Sequence, residues 1–205
     1  MSPRPRKVTD DQLFAATHVV MSREGPQGVT LAAIAREAGV TAAVLVQRFG
    51  SKRALLLAIA KKHAEGAGEM MEELARHHRS PLAALRAYSD CMAGLAGSPA
   101  ALARSLAGLQ IDLTDPDFYR YLRRQAQATR AGLERMVTAA VKAGELVSSV
   151  NPARLARSIE ALVAGSMLVS AFYQQGSAAR WMRADLDALL APYLPRQRDL
   201  RRNRR

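Results

Sequence analysis

Apolar positions along this chain recur every three or four residues, which is the spacing of one face of an α-helix. The clearest stripe comprises Leu82, Leu85, Tyr88, Ser89, Met92 and Leu95. A second stripe comprises Leu155, Ile159, Leu162, Val163, Ser166, Met167 and Ser170. No segment sustains the alternation of apolar and polar residues that is typical of a strand. The pattern therefore predicts an all-α fold.

Cap residues and glycines mark where these helices begin and end. The run Thr9–Gln12 has the form of a capping box. Four N-cap residues directly precede a proline, namely Ser80, Ser98, Asp115 and Asn151. Glycines at stops or turns are Gly25, Gly39, Gly50, Gly144 and Gly176. These signals predict nine helices, at about 9–23, 30–37, 41–48, 51–77, 81–96, 99–111, 116–143, 152–175 and 177–193.

Helix length and charge divide the chain into regions. The first three predicted helices are short, and the later ones are longer. Of the net charge of +12, the first 63 residues contribute six units and the last ten contribute five, so the middle is nearly neutral. We predict a three-helix unit over 1–50, a helical bundle over 51–195 and a basic, disordered tail over 196–205.

The basic ends indicate a polyanionic partner, since each phosphate that a cation neutralises releases a counterion. For the last ten residues, a solvated tail that only aids solubility is the alternative. The single cysteine, Cys91, has no partner for an internal disulfide, which fits a reducing, cytoplasmic compartment. No apolar run approaches about 20 residues, so we expect neither export nor a membrane span.

Residues 30–49 carry the pattern that points to a function. Leu31, Ile34, Ala35 and Ala38 form the inward stripe of one short helix. Gly39 ends that helix, Val40 fills the turn, and the Thr41 hydroxyl is placed to cap a second short helix. In the second helix, Leu45 and Phe49 are spaced to pack inward. A helix that begins with small outward residues fits deep in a major groove, so these residues indicate a helix-turn-helix.

The run T-x-x-x-I-A-x-x-A-G-V-T-x-x-x-L-x-x-x-F-x-S-K-x-x-L, from Thr30 to Leu55, resembles the TetR family of transcriptional regulators. The resemblance implies that Thr30 caps the second helix at a phosphate and that the recognition helix runs from Thr41. It also implies that Lys52 contacts the DNA backbone at the start of the fourth helix. The residues agree on this last point, because Ser51 caps a helix there and helix N-termini favour phosphate.

The recognition helix departs from the family pattern where Val46 replaces a common tyrosine. Gln47 remains to pair with adenine, and Thr41 remains as a second polar group; Ala42, Ala43 and Val46 offer apolar contact to thymine methyl groups. Arg48 reaches phosphate or guanine if it faces outward. The basic residues of the N-terminal segment are expected to reach phosphates or the minor groove, and they are Arg4, Arg6 and Lys7.

The family resemblance implies a homodimer built from the last two long helices, 152–175 and 177–193. Small residues there permit close helix contact, at Ala161, Ala164, Gly165, Ala171, Ala178 and Ala179. Larger residues supply apolar bulk, at Leu168, Phe172, Trp181, Leu186, Leu189 and Leu190. Packing within one subunit is the alternative, because small residues suit either kind of helix contact.

A ligand pocket is expected between helices five to eight of the bundle. Its candidate lining is Tyr88, Cys91, Met92, Leu95, Leu106, Leu109, Gln110, Phe118, Tyr121, Gln125, Thr129, Met136, Ser166, Met167 and Ser170. This mixture fits a small apolar effector with a few polar groups, although each residue alone also suits a core. The fourth helix, 51–77, is the expected lever between the pocket and the DNA-reading unit.

The motifs of an enzyme are not found in the sequence, which holds no G-x-S-x-G and no phosphate-cradling glycine loop. We expect no cofactor and no metal, since Glu73, His77 and His78 have no evident further ligand. Two other classes stay open: a nonspecific nucleic-acid binder that uses its basic ends, and a helical enzyme or ligand carrier with a vestigial helix-turn-helix. The effector, the operator and the regulated genes are undetermined, and repression is the family's usual mode.

Overall fold

The computed structural model describes residues 8–96 and 98–195, and every regular element within these ranges is helical. The elements are α1 (Asp10–Gly28), α2 (Leu31–Ala38), α3 (Ala42–Phe49), α4 (Lys52–His77), α5 (Pro81–Ala96), α6 (Pro99–Thr114), α7 (Pro116–Lys142), α8 (Pro152–Tyr173) and α9 (Ala178–Leu190). A short 3₁₀ turn follows over Ala191–Tyr193. The all-α prediction is confirmed.

The helix bounds match the sequence pattern because local hydrogen bonds set them. Thr9 and Gln12 exchange the two hydrogen bonds of a capping box. The hydroxyls of Ser51, Ser80 and Ser98 each accept from the backbone N–H three residues on. Such caps satisfy amide donors that the first turn of a helix leaves unpaired, so they are readable from a few neighbouring residues.

The first helix extends beyond its predicted end. The prediction stopped at residue 23, whereas α1 continues to Gly28 across a break at Gly25. Gly25 has a φ of 73°, which favours glycine, and Pro26 restarts the helix in a position where no backbone donor is needed. The glycine therefore interrupts the helix, as its position indicated, without ending it.

The chain divides into two compact units. The first comprises Met1–His63 and Ala103–Leu122. Its core is built by α1 to α4, and its buried side chains include Leu13, Phe14, Val20, Ile34, Leu45 and Leu55. This core fixes the relative positions of α2 and α3, which are the two helices of the predicted DNA-binding motif.

The second unit comprises Ala64–Leu102 and Arg123–Arg205. Its core includes Met71, Leu85, Leu133, Ile159, Met182 and Leu186, all almost fully buried. Helices α4 and α7 approach closely at Gly132, where a Cβ atom would lie only 2.6 Å from the Cβ of Met71. Helices α5, α8 and α9 pack together in the same unit.

One helix departs from the expectation that no segment is apolar enough to span a membrane. Helix α8 meets that test by length and composition, with a mean hydropathy of 1.4 over eighteen residues. A count of uninterrupted apolar residues missed it, because single polar residues divide the segment. Leu155, Ile159 and Val163 bury one face of α8 in the core of the second unit.

Candidate DNA-binding and effector sites

Helices α2 and α3 form a helix-turn-helix whose turn is fixed by backbone hydrogen bonds. Gly39 has a φ of 68°, and its N–H donates to the carbonyl oxygen of Arg36 at 3.3 Å. The N–H of Val40 donates to the carbonyl oxygen of Ala35 at 2.9 Å, and the Val40 side chain packs against the core of the unit. The turn therefore has the geometry that the sequence predicted.

The outer face of α3 combines small, apolar and amide side chains. Leu45 is fully buried and Phe49 packs against the core, which orients the helix. Ala43, Val46 and Gln47 are exposed, and half of the Val46 surface is accessible. Thr41 is also exposed, while Ala42 lies half-buried at the edge of the face. Small side chains on one face of a helix allow it to lie deep in a major groove.

The predicted cap by Thr41 is not made. Its side chain forms no hydrogen bond to the start of α3, although its backbone has the extended conformation of an N-cap residue. Its carbonyl oxygen accepts from the N–H of Val44 at 3.1 Å. The hydroxyl of exposed Thr41 is thus not used to cap α3.

Two other caps border the α2–α3 pair. The Thr30 hydroxyl accepts from the N–H of Ala33 at 3.1 Å, so Thr30 caps α2 as the sequence predicted. Ser51 caps α4 through the N–H of Ala54, and Lys52 is the first residue of α4. Amide groups and the positive end of each helix dipole favour phosphate at these two N-termini.

Arg48 lies against α1 in this structure. Its Nη1 donates to the carbonyl oxygen of Val8 at 2.8 Å and lies 3.1 Å from Oδ1 of Asp10. The sequence predicted that Arg48 reaches phosphate or guanine if it faces outward, and it gave no signal for partners about 40 positions away. The predicted contacts at Arg4, Arg6 and Lys7 lie outside the described residues, as does the tail over 196–205.

Arg53 forms a polar cluster that sequence reasoning missed. Its Nη2 donates to Oδ2 of Asp115 at 2.8 Å and to Oδ2 of Asp117 at 2.9 Å. The guanidinium also lies 5.7 Å from the ring centroid of buried Phe118. The hydrogen bond from Arg53 lowers the pKa of Asp115, which also caps the start of α7. The start of α4 and the start of α7 are therefore joined within the first unit.

The predicted pocket residues fall into different environments. Tyr88 and Met136 are buried in the core of the second unit, and Met92 and Met167 pack against it. Desolvation, with smaller contributions from Glu160 and Cys91, raises the pKa of Tyr88 to about 12. Tyr88 is therefore a neutral phenol at physiological pH, which suits an apolar site.

The buried serines of the second unit supply polar groups, but most of these are already paired. Ser166 Oγ donates to Oδ2 of Asp185 at 2.6 Å, and Ser170 Oγ donates to the carbonyl oxygen of Met167 at 3.0 Å. Ser89, which the pocket prediction omitted, is 1% exposed, and its hydroxyl has no hydrogen-bond partner. An unsatisfied buried hydroxyl of this kind is a candidate ligand contact.

Other predicted pocket residues face outward or lie in the first unit. Cys91 and Gln125 are exposed, and Thr129 is half-buried. Five of the candidates belong to the first unit, namely Leu106, Leu109, Gln110, Phe118 and Tyr121. The side chain of Leu95 lies outside the described part of the structure. Three open depressions run along α7 and α9, and none of these three is lined by a predicted pocket residue.

Two family models match the chain. Residues 13–59 match the model of bacterial regulatory proteins of the tetR family, and residues 91–186 match the tetracyclin repressor-like C-terminal domain. The first match contains α2 and α3 entirely, and the second begins in the last part of α5 and ends within α9. No curated protein matches the chain by sequence.

Solved structures extend this similarity over nearly the whole chain. Reduced NemR from Escherichia coli is 17% identical with a TM-score of 0.74, covering 92% of this chain and 100% of that chain. A TetR transcriptional regulator from Streptomyces coelicolor is 26% identical with a TM-score of 0.67, covering 91% and 99%. FadR from Bacillus subtilis, in complex with stearoyl-CoA, is 16% identical with a TM-score of 0.67, covering 89% and 98%. This chain therefore belongs to the TetR family of helix-turn-helix, DNA-binding transcriptional regulators.

Proposed function

We propose that this protein is a sequence-specific transcriptional regulator that binds a palindromic operator as a homodimer. In this proposal it acts as a repressor in the cytoplasm, and a small apolar effector releases it from DNA. It is a binding protein and not an enzyme. Residues 1–50 read DNA, residues 51–195 bind the effector and dimerise, and the basic tail over 196–205 adds positive charge. The observation that carries the proposal is the exposed face of α3 between two capped helix N-termini.

Residues of α3 are proposed to contact the DNA bases directly. Gln47 is exposed, and its amide offers the paired donor and acceptor that match adenine. Thr41 adds a hydroxyl at the start of the helix, and Val46 with Ala43 adds an apolar surface. Lys52, at the N-terminus of α4, supplies a phosphate contact that fixes the protein on the duplex.

Dimerisation is supported by an exposed apolar face on α8. Ala161, Ala164 and Gly165 are exposed along this helix, and Phe172 is 67% exposed near its end. Next to Phe172, the Tyr173 ring stacks on Trp181 of α9 with centroids 5.8 Å apart. Small residues let a second helix approach closely, and the aromatic groups supply apolar area. A symmetric pair of such faces would set two recognition helices on one side of DNA.

The effector site is proposed in the bundle. Tyr88 and Ser89 on α5 contribute a neutral phenol and an unpaired hydroxyl among apolar side chains. The fold neighbour FadR was solved with stearoyl-CoA, which has a long apolar chain. The acyl chain of that molecule supports a site with a largely apolar lining. Release follows if the effector binds the DNA-incompetent arrangement more tightly.

Helix α4 is the proposed lever. It belongs to the first unit as far as His63 and to the second unit from Ala64. Its first turn carries Lys52, the proposed phosphate contact, and Arg53, which is bonded to Asp115 at the start of α7. A tilt of α4 would therefore move a DNA contact. Two crystal structures with identical separation of the recognition helices, with and without effector, would exclude this lever.

The first experiment is selection of bound duplexes from a random-sequence pool at near-physiological salt. A palindrome is the expected result, and Gln47→Ala should relax the preference at one base pair of each half-site. Exposed Gln27→Ala, at the end of α1, is the matched control and should leave the motif unchanged.

Two results would contradict the proposal. Recovery of no motif, with binding that disappears as salt rises, would identify a nonspecific nucleic-acid binder that uses its basic ends. No DNA binding at all would favour a ligand carrier or an enzyme with a vestigial helix-turn-helix. Once an operator is known, small apolar molecules can be screened for their ability to dissociate the protein from it.

A further inference from the structure

The guanidinium of Arg48, at the end of the recognition helix, is held by the first turn of α1. One terminal nitrogen, Nη1, donates to the Val8 carbonyl oxygen at 2.8 Å and lies 3.1 Å from Oδ1 of Asp10. This nitrogen therefore has one hydrogen-bond acceptor, the carbonyl oxygen of Val8 just before α1, and one ion-pair partner, Asp10 in the first turn of α1. The side chain is 30% exposed and therefore lies mainly against the protein.

The hydrogen bond from Arg48 to Val8 lies where the basic N-terminal segment joins the folded unit. Val8 packs against the core of the first unit, and it directly follows the basic segment 1–7. The capping box of α1 begins at the next residue, Thr9. The hydrogen bond from Arg48 thus falls at the junction between the basic segment and the first helix.

Helix α4 holds the other side of the same turn. Lys62 of α4 pairs with Asp11, and its ammonium group lies 5.6 Å from the ring centroid of Phe14. The Phe14 ring also packs 6.0 Å from the ring of Phe49, which is the last residue of α3. The first turn of α1 is therefore fixed by α3 through Arg48 and by α4 through Lys62.

Charge gives Arg48 a second effect on this surface. Asp10 is 57% exposed, and an unpaired carboxylate on a DNA-binding unit repels phosphate. The guanidinium neutralises it at short range. An ion pair this exposed contributes little to folding stability, so its effect lies in geometry and local charge.

We propose that Arg48 is a positioning residue for DNA binding, which acts through Asp10 and the Val8 carbonyl oxygen and does not contact DNA. It fixes the end of the recognition helix to the point where the basic segment 1–7 meets the folded unit. The inference rests on the proposed function, because the activity that it affects is DNA binding.

The test measures binding of the full-length chain to the selected palindrome, and to an unrelated duplex of equal length, over a range of salt. Arg48→Gln should weaken binding to the palindrome by about three- to tenfold. The slope of log K against log salt concentration should not change. Lys52→Gln is the matched control, and it should lower the magnitude of that slope by about one, as loss of one phosphate contact does.

Repeating the Arg48→Gln measurement in two other variants distinguishes a positioning role of Arg48 from a direct contact with DNA. Because Arg48 acts through Asp10, the loss caused by Arg48→Gln should shrink in an Asp10→Ala background. It should shrink again when Arg4, Arg6 and Lys7 are all replaced by glutamine. Arg48→Lys should also lose affinity, since the lysine side chain is one bond shorter and its ammonium group falls short of the two acceptors that Nη1 of Arg48 reaches.

The opposite pattern would overturn the proposal. If Arg48 binds phosphate, Arg48→Gln lowers the slope by about one, Arg48→Lys retains most of the affinity, and neither background changes the loss. Equal binding of the two duplexes by the unmodified chain would instead refute the proposed sequence-specific function. In that case the slope and the Asp10→Ala background still report on Arg48, so the two failures are distinguishable.

Discussion

Val46 makes the recognition helix unusual at the scale of a single residue. Its side chain is 50% exposed on the face that is proposed to read DNA, and exposed Ala43 lies one turn before it. Base edges in the major groove are polar except for the C5 methyl group of thymine. An apolar side chain placed against a polar edge displaces water without replacing its hydrogen bonds. Val46 is therefore expected to face thymine.

Replacing thymine with deoxyuridine in the selected palindrome tests this expectation. Each methyl group in contact with Val46 should contribute about fourfold in affinity, since burial of one such group is worth about 0.8 kcal/mol. The unmodified protein should therefore bind the deoxyuridine duplex more weakly, by titration of labelled DNA. Val46→Ala should show a smaller difference between the two duplexes.

Val19 provides a matched control for this measurement. It is 47% exposed on α1, so Val19→Ala removes a similar area of exposed apolar surface. This variant should discriminate between the two duplexes as the unmodified protein does. If Val46→Ala also keeps full discrimination, then Val46 does not read the methyl group.

The stacked pair His18 and His63 is expected to make the stability of the first unit sensitive to acid. Their ring centroids lie 5.0 Å apart, and burial lowers the pKa of both below 6.5, with His18 and Lys62 lowering that of His63 further. The unfolded chain binds these protons more readily, so the free energy of unfolding falls as pH drops below about 6.5. His18→Gln should reduce the fall in urea midpoint between about pH 7.5 and 5.5.

Exposed His77, at the end of α4, supplies the control substitution. His77→Gln should leave the acid-side fall in stability close to that of the unmodified chain. A fall that is equally steep in His18→Gln would show that the histidine pair does not govern it.

At the scale of elements, a close approach of two helices in the second unit depends on a missing side chain. Gly132 of α7 is buried, and a Cβ atom there would lie 2.6 Å from Cβ and 2.7 Å from Cγ of Met71. Met71 is 1% exposed. The two atoms that would be contacted are the first two of its side chain, so a change of rotamer at the end of the side chain cannot move them away. The two helices therefore have to separate to admit a methyl group.

Gly132→Ala is expected to destabilise the fold by about 1–3 kcal/mol, because overpacking outweighs the better helix propensity of alanine. Gly108→Ala in α6 is the control with the opposite sign. No atom lies within 4 Å of the Cβ position at Gly108, so this change should stabilise by up to about 1 kcal/mol. Denaturant unfolding of both variants measures the difference, and equal effects would contradict the close approach.

At the scale of the whole molecule, the proposed function requires two chains to place two recognition helices on DNA. Ala164 lies on the exposed small-residue face of α8. Ala164→Glu should convert dimer to monomer, because a carboxylate in an apolar interface loses its hydration without a partner. Sedimentation equilibrium measures the mass directly, and operator affinity should fall in parallel.

Ala75→Glu is the control for the dimer prediction, since Ala75 is exposed on α4, which is not one of the proposed interface helices. This variant should remain dimeric. A dimer that persists in Ala164→Glu would place the interface elsewhere, and a monomeric unmodified chain would exclude dimerisation in solution.

Features that depend on neighbouring residues were predicted well. Eight of the nine helices end within a few residues of their predicted bounds, and Gly39 and Val40 form the turn that their order indicated. The family, the fold class and the helix-turn-helix were all accessible from residues 30–55 and the caps. The functional assignment of individual DNA and effector contacts stays a prediction.

The sequence by itself determined where helices begin, where they end and which face of each is apolar, because hydrogen bonds and packing within about four residues set those properties. Only the tertiary structure decided that Arg48 reaches back to Asp10 and that Arg53 binds Asp115. It also decided that the Thr41 hydroxyl makes no cap. These contacts join residues separated by tens of positions, or depend on small differences in side-chain orientation, and periodicity carries no information on either.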